Sequence, residues 1–191
     1  MKVIQLFKSE TQLIKRAAKK DRKAQRELYE LHSGKMLSVC RQYIKDMHHA
    51  EEVMLNGFLK VFTHLKDFES KGSFEGWIRK IMVRESISFL RSQKKIVFSN
   101  EEIADPGFTA EMNTELNVAH IQNLIDNLPE GYRMVFVMYA VEGYKHAEIA
   151  KMLKITEGTS KSQLSKARRM LQEQLKTLRV LAKQHPRCLK N

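Results

Sequence analysis

Lys161, Ser162, Ser165, Lys166, Arg168 and Arg169 fall within nine residues, and each carries a hydrogen-bond donor. Gathered on one side of a helix, such side chains suit the major groove of a DNA duplex. Lys and Arg bond guanine acceptors, Ser bonds base edges or phosphates, and a helix has the width to enter. A solvated helix with ordinary surface lysines would carry the same residue types. A second set, Trp77, Lys80, Arg84, Ser88 and Arg91, falls on one stripe and interleaves a ring and a hydroxyl with cations. Single-stranded DNA asks for that mixture, because bases stack on rings while cations track phosphates, each stack contributing roughly 1–3 kcal/mol. Packing of Trp77 against Ile81 and the preceding helix is the competing reading of the ring.

Catalysis has little to work with. The chain holds no Gly-rich phosphate loop, no metal quartet and no Ser/His/Asp motif, so no catalytic residue, cofactor or metal is expected and an enzyme is not the reading. His48, His49, Glu51 and Glu52 read as a charged helix start rather than as metal ligands. His185 and Cys188 make half a zinc site, and His-Ala-Glu from His146 lacks the Cys pair of a deaminase. Cys40 and Cys188 are too few and too far apart for a disulfide framework, so both are expected as thiols.

The elements that must position these residues are helices. No β-branched run alternates cleanly with polar residues, and apolar periodicity predicts helices over 10–19, 22–45, 49–67, 73–92, 115–127, 130–141, 145–153 and 157–181. A net charge of +12 favours a polyanionic partner. From Tyr144 onward 12 Lys or Arg face 3 acids, whereas Ile96–Tyr132 contains no Lys or Arg and seven acids. Within that acidic stretch "SNEEIADPGFTAEMNTE" lacks periodicity and carries a Pro-Gly turn signal, which reads as a linker between two domains. No apolar run approaches a membrane span and "MKVIQLFKSETQ" is a poor signal peptide, so a cytoplasmic protein without direct membrane insertion is expected.

Two stretches are informative in detail. In "HAEIAKMLKITEGTSKSQLSKARRML", Ala147, Ala150 and Leu153 share a face of a short helix, "LKIT" interrupts it, and Thr156 offers a capping hydroxyl to a new helix beginning at Glu157. There Ser160, Leu164, Ala167, Leu171, Leu175 and Leu178 define the inner side. Such a pair of helices at a tight turn is a helix-turn-helix. In "HAEEVMLNGFLKVFTHLKDF", Met54, Phe58, Val61, Leu65 and Phe68 form one stripe, while Leu55, Leu59 and Phe62 form a second. The helix is either central in its bundle or also docks a partner helix.

The run "LPEGYRMVFVMYAVEGYKHAEIAKMLKITEGTSKSQLSKARRML" resembles the C-terminal region 4 of bacterial RNA polymerase sigma factors of the sigma-70 family. The resemblance implies reading of the upstream minus-35 duplex. Ser160 stands where the family has a branched apolar residue, implying looser packing under the recognition helix. Gln163 stands where the family often has Arg, implying one phosphate cation fewer. "AEEVMLNGFLKVF" resembles region 2.2, which binds the clamp helices of the polymerase largest subunit. Leu55 and Asn56 depart from a usual Gln and acid, so docking would lean on Glu51, Glu52, Leu55, Asn56, Leu59 and Phe62. "FESKGSFEGWIRKIMVRESISFLR" resembles regions 2.3 and 2.4, which recognise and open the minus-10 element. By that likeness Lys71, Gly72, Ser73 and Phe74 form a base-capturing loop and Arg84 and Ser88 face the duplex. Gly76 replaces an aromatic of housekeeping relatives.

With no intervening region 3, the chain is similar to the extracytoplasmic function (ECF) group, whose members are commonly held by an anti-sigma factor. The resemblance implies an all-α fold with region 2 at 10–95, an acidic linker at 96–114, region 4 at 115–181 and a basic tail at 182–191. The partners it implies are core RNA polymerase, promoter DNA and an anti-sigma factor. The rival function is a helix-turn-helix regulator that does not associate with polymerase. The aromatic and basic stripe from Lys71 to Arg91 separates the two, since a simple regulator has no need of it.

Overall fold

Asp21 closes one helix and opens the next. The computed structural model describes residues 10–93 and 118–184, with backbone alone at 118–119 and 178–184. Helix α1 (Glu10–Ala18) ends before Lys20, whose φ of 65° is left-handed. The Asp21 carboxylate then accepts the N–H groups of Lys23 and Ala24 at 3.0 and 3.2 Å, capping α2 (Arg22–Tyr43), and takes Arg16 at 2.9 and 2.6 Å. The Arg16 bonds foremost, then the backbone donors, hold this carboxyl below its ordinary pKa. Asp46 likewise accepts the His49 N–H at 2.8 Å. Helix α3 (Met47–Thr63) therefore starts two residues before the expected 49, and what periodicity extends to 67 is a separate 3₁₀ turn, Leu65–Asp67.

Helix α4 (Phe74–Ser92) packs on both α2 and α3, and α1 packs on α2. Their shared core holds Met36, Cys40, Val61, Ile78, Met82 and Val83, each fully removed from solvent. Gly57 leaves room for the buried end of the Met82 side chain from α4, because a Cβ there would lie 2.9 Å from Met82 Cε. Burial pushes the Cys40 thiol up to about 11, against a smaller opposing contribution from a hydrogen bond with Ser86.

The chain divides into two units between Ser92 and Gln93. The expected linker, 96–114, lies outside the described residues, as does most of the expected tail, 182–191. In the second unit α5 (Val118–Asp126) and α6 (Glu130–Phe136) precede α7 (His146–Leu153) and α8 (Glu157–Gln184). Leu128, Tyr132, Ala167 and Met170 form a core cluster, with Phe136 and Leu171 packed against it. The expected continuous helix over 130–141 is corrected: from Val137 to Val141 the backbone widens into a π turn. The Glu142 N–H reaches back to the Val137 carbonyl and the Tyr144 N–H to Met138, both at 3.0 Å, while Gly143 takes a φ of 76° that other residues resist. The described residues are all-α, without a strand, and none of their helices is long and apolar enough to cross a membrane.

Candidate nucleic-acid interface

The break between α7 and α8 is three residues long. Lys154 adopts a left-handed φ of 55°, the Ile155 N–H returns to the Ala150 carbonyl at 3.0 Å, and Thr156 Oγ1 accepts the Thr159 N–H at 3.0 Å. The expected hydroxyl cap is thus in place, with Glu157 at the positive end of the α8 dipole. The inner face of α7 differs from expectation. Ile149 is fully buried beside Ala150 and Leu153, while Ala147, in the first turn, remains exposed.

On α8 the inner side comprises Ser160, Gln163, Leu164, Ala167, Met170 and Gln174. Lys161, Ser165, Arg168 and Arg169 are exposed, and Ser162 and Lys166 are half-buried. The Ser162 hydroxyl donates to the Thr159 carbonyl at 3.0 Å, which turns it toward its own helix. Gln163 is 1 % exposed, so it belongs to the core and not to a row of phosphate contacts. Ser160 is also enclosed, and its Oγ lies 2.8 Å from His146 Nδ1. Ser160 thus joins α7 to α8 by a hydrogen bond from an enclosed position. His146 in turn stacks on Tyr139 from the π turn, with centroids 4.6 Å apart and planes 23° apart. The Arg168 guanidinium carbon lies over the same Tyr139 ring, 5.6 Å from its centroid. Tyr139, His146, Lys161, Ser165, Arg168 and Arg169 line a groove of about 390 Å³.

On α4, Lys80, Arg84 and Ser88 form an exposed row one turn apart, and Arg91 is half-buried. The preceding loop is bent by two left-handed residues, Ser70 (φ 57°) and Gly72 (φ 101°), which bracket exposed Lys71. Lys71 Nζ reaches Glu69 at 2.7 Å, and Ser73 Oγ caps α4 by accepting the Gly76 N–H at 3.0 Å. Phe74 departs from expectation. It is 3 % exposed and sits among His32, Phe68 and Trp77, so its ring serves the core beneath the loop and does not face solvent. Trp77 is half-buried, stacked on Phe74 at 5.8 Å and tilted against Phe68 at 5.5 Å. The ring thus packs inward on an aromatic cluster, as the packing reading expects of it. A depression of about 380 Å³ opens between this loop and α1, lined by Thr11, Ile14, Phe68, Ser70, Ser73 and Phe74 among others.

The outer side of α3 carries the second apolar stripe. Leu55 is 50 % and Leu59 65 % exposed, Glu51, Glu52 and Asn56 are exposed, and Phe62 is half-buried with its ring 6.0 Å from Phe58. Met47, 52 % exposed, extends the same i, i+4 row through Glu51. Sequence reasoning missed it because the Asp46 cap, which starts the helix early, was the unread signal. No sequence pattern marks Tyr139, and the sequence around His146 speaks only against a metal site. Among the described residues no cluster of His, Cys, Asp or Glu could hold a metal ion.

Comparison with known proteins gives two family matches. The model described as Sigma-70 region 2 matches residues 28–96, and that described as Sigma-70, region 4 matches residues 120–171. The chain is 26% identical over 180 residues to the ECF RNA polymerase sigma factor SigW of Bacillus subtilis, spanning 86% of this chain and 96% of that one. It is 21% identical over 180 residues to the ECF RNA polymerase sigma-E factor of Haemophilus influenzae, spanning 87% and 95% respectively. Among solved structures, the sigma factor RpoE of Bartonella quintana, in complex with the anti-sigma factor NepR, aligns with a TM-score of 0.52 at 19% identity. That alignment covers 79% of this chain and 96% of the other, a likeness of fold.

Proposed function

The chain belongs to the sigma-70 family, carrying its regions 2 and 4, and from that premise we propose that it is an ECF-type initiation factor that brings core RNA polymerase to specific promoters. The observation that carries this reading is the outer face of α3. A helix that already buries Val53, Met54, Phe58 and Val61 also holds Leu55 and Leu59 in water, half or more exposed. A large apolar side chain repeated one turn later on an otherwise charged surface suits a helix-on-helix contact, here with the clamp helices of the largest subunit. Glu51, Glu52, Asn56 and Phe62 flank it.

The division of labour follows from where each set of donors lies. Helix α8 presents Lys161, Ser165, Arg168 and Arg169 to the minus-35 duplex, with Ser162 and Lys166 at its margin. Lys80, Arg84 and Ser88 meet the minus-10 element from α4. Lys71, Ser73 and the depression beside them receive an unstacked base against walls that include Phe68 and Phe74, with Trp77 stacked on Phe74. Arg91 continues the row. Separating strands costs about 1.4 kcal/mol per base step, which base capture and polymerase contacts offset without nucleotide hydrolysis. An anti-sigma factor that covers the α3 ridge would silence the protein by occluding polymerase, and the site of action is cytoplasmic.

The test is reconstitution. Core polymerase mixed with the full chain should give transcripts with discrete 5′ ends from a genomic fragment library. Arg84→Ala should reduce permanganate reactivity of thymines at the opened element while upstream duplex binding persists. A chain that neither co-elutes with core enzyme nor supports any initiation would leave the helix-turn-helix regulator as the reading.

A further inference from the structure

We propose that Tyr139 and His146 are positioning residues that fix the Arg168 guanidinium on the DNA-facing side of α8, an inference that rests on α8 being the reader of upstream duplex. Three contacts join into one bracket. His146 Nδ1 holds Ser160 Oγ at 2.8 Å, the imidazole stacks on Tyr139 at 4.6 Å, and the Tyr139 ring lies under Arg168 at 5.6 Å. Ser160 and Arg168 are eight residues apart, about 12 Å along the helix axis. The bracket therefore grips α8 at two points, one enclosed and one at the surface.

Each part has a physical reason to be where it is. Ser160 is fully buried, so its hydroxyl needs a partner, and His146 at the start of α7 supplies one. That bond sets the plane of the imidazole, and the imidazole supports one face of a Tyr139 ring that is 36 % exposed. The π turn matters here. Val137 and Met138 are buried, whereas Tyr139, Ala140 and Val141 are all exposed, so the widened backbone brings the ring out of the core. Arg168 gains a preferred direction from the ring. A free arginine side chain samples many rotamers and loses that freedom on binding, whereas a guanidinium already laid over an aromatic face has less to lose. The outcome is a pre-set fork at the edge of a groove that also holds Lys161, Ser165 and Arg169.

The experiment uses the full chain and duplexes enriched by it from a randomised double-stranded library, with affinity read by anisotropy. Arg168→Ala should weaken binding to an enriched duplex roughly tenfold. Tyr139→Leu should weaken it about two- to fivefold, the effect of an exposed cation–π contact, and Tyr139→Phe should restore wild-type affinity because the ring face is kept. The decisive measurement is Tyr139→Leu in the Arg168→Ala background, where it should change nothing, since its effect passes through the missing guanidinium. Ser160→Ala should lower affinity in the same Arg168-dependent way, and thermal melting shows that each variant remains folded. A Tyr139→Leu loss that persists undiminished without Arg168, or no loss at all while Arg168→Ala still weakens binding, overturns the bracket and leaves the duplex-reading role of α8 standing. Failure of the wild-type chain to enrich any duplex overturns that parent reading, and this inference falls with it.

Discussion

Replacing Leu55 and Leu59 together by Ala removes the exposed ridge of α3 while leaving its buried face untouched. Burying a whole leucine side chain contributes about 1.5–3 kcal/mol. Leu59 keeps 65 % and Leu55 50 % of its surface for a partner to cover, and Ala retains the Cβ. Together the two truncations should therefore remove about 2 kcal/mol of docking energy, close to a 30-fold rise in Kd for core polymerase. The fold should barely notice. Leu and Ala differ little in helix propensity, and surface substitutions usually fall within about 0.5 kcal/mol of neutral. Titration of labelled full-length chain with core enzyme measures the first quantity and urea unfolding the second. An affinity within roughly threefold of wild type, in a variant of unchanged stability, would refute α3 as the docking ridge. A fall in stability comparable to the fall in affinity would show that the ridge packs internally instead.

Gly57→Ala should destabilise the first unit by about 1–2 kcal/mol in chemical denaturation. The new Cβ meets Met82, itself fully buried, and that overpacking outweighs a gain in helix propensity of up to about 1 kcal/mol. A neutral or stabilised variant would show that the Met82 thioether moves aside at little cost and refute the overpacking argument. Cys40, with its thiol pushed up to about 11, should resist iodoacetamide at neutral pH in the native protein and react promptly in urea, as followed by peptide mapping. Rapid native labelling of Cys40 would deny its burial. Asp21 has a lowered pKa when folded, so it stabilises the fold above its ordinary value of 3.8, and that contribution disappears as pH falls through the lower folded value. Asp21→Asn keeps the cap but carries no titrating charge, so its unfolding midpoint should fall less steeply with acid than that of the wild type. Parallel acid limbs would refute the assignment.

The helices were legible where one strong local rule operated. Thr156 before Glu157 announced the start of α8, and the 3–4 spacing of Met54, Phe58 and Val61 gave the inner face of α3. Illegible were features that depend on a neighbour in space. Phe74 reads as a loop aromatic along the chain, yet His32 and Phe68 enclose it. Gln163 reads as polar and outward, yet it is in the core of the second unit. The pairing of His146 with Ser160 crosses fourteen residues and a turn, and no single-residue rule points to it. The break of α6 at Val137 leaves no Pro behind as a marker, and Gly143, its one local sign, stands six residues downstream.

That break amounts to one surplus residue stored in the wall of a helix. Deleting a single position between Val137 and Val141 would remove the surplus residue and restore ordinary α winding, while the chain beyond keeps its register because the widened turn had absorbed the extra residue locally. The ring of Tyr139 would then leave the place where His146 and Arg168 now meet it, while α7 and α8 keep theirs. A chain built this way can change what lies beneath Arg168 by gaining or losing one codon, a far smaller step than redesigning a side-chain network.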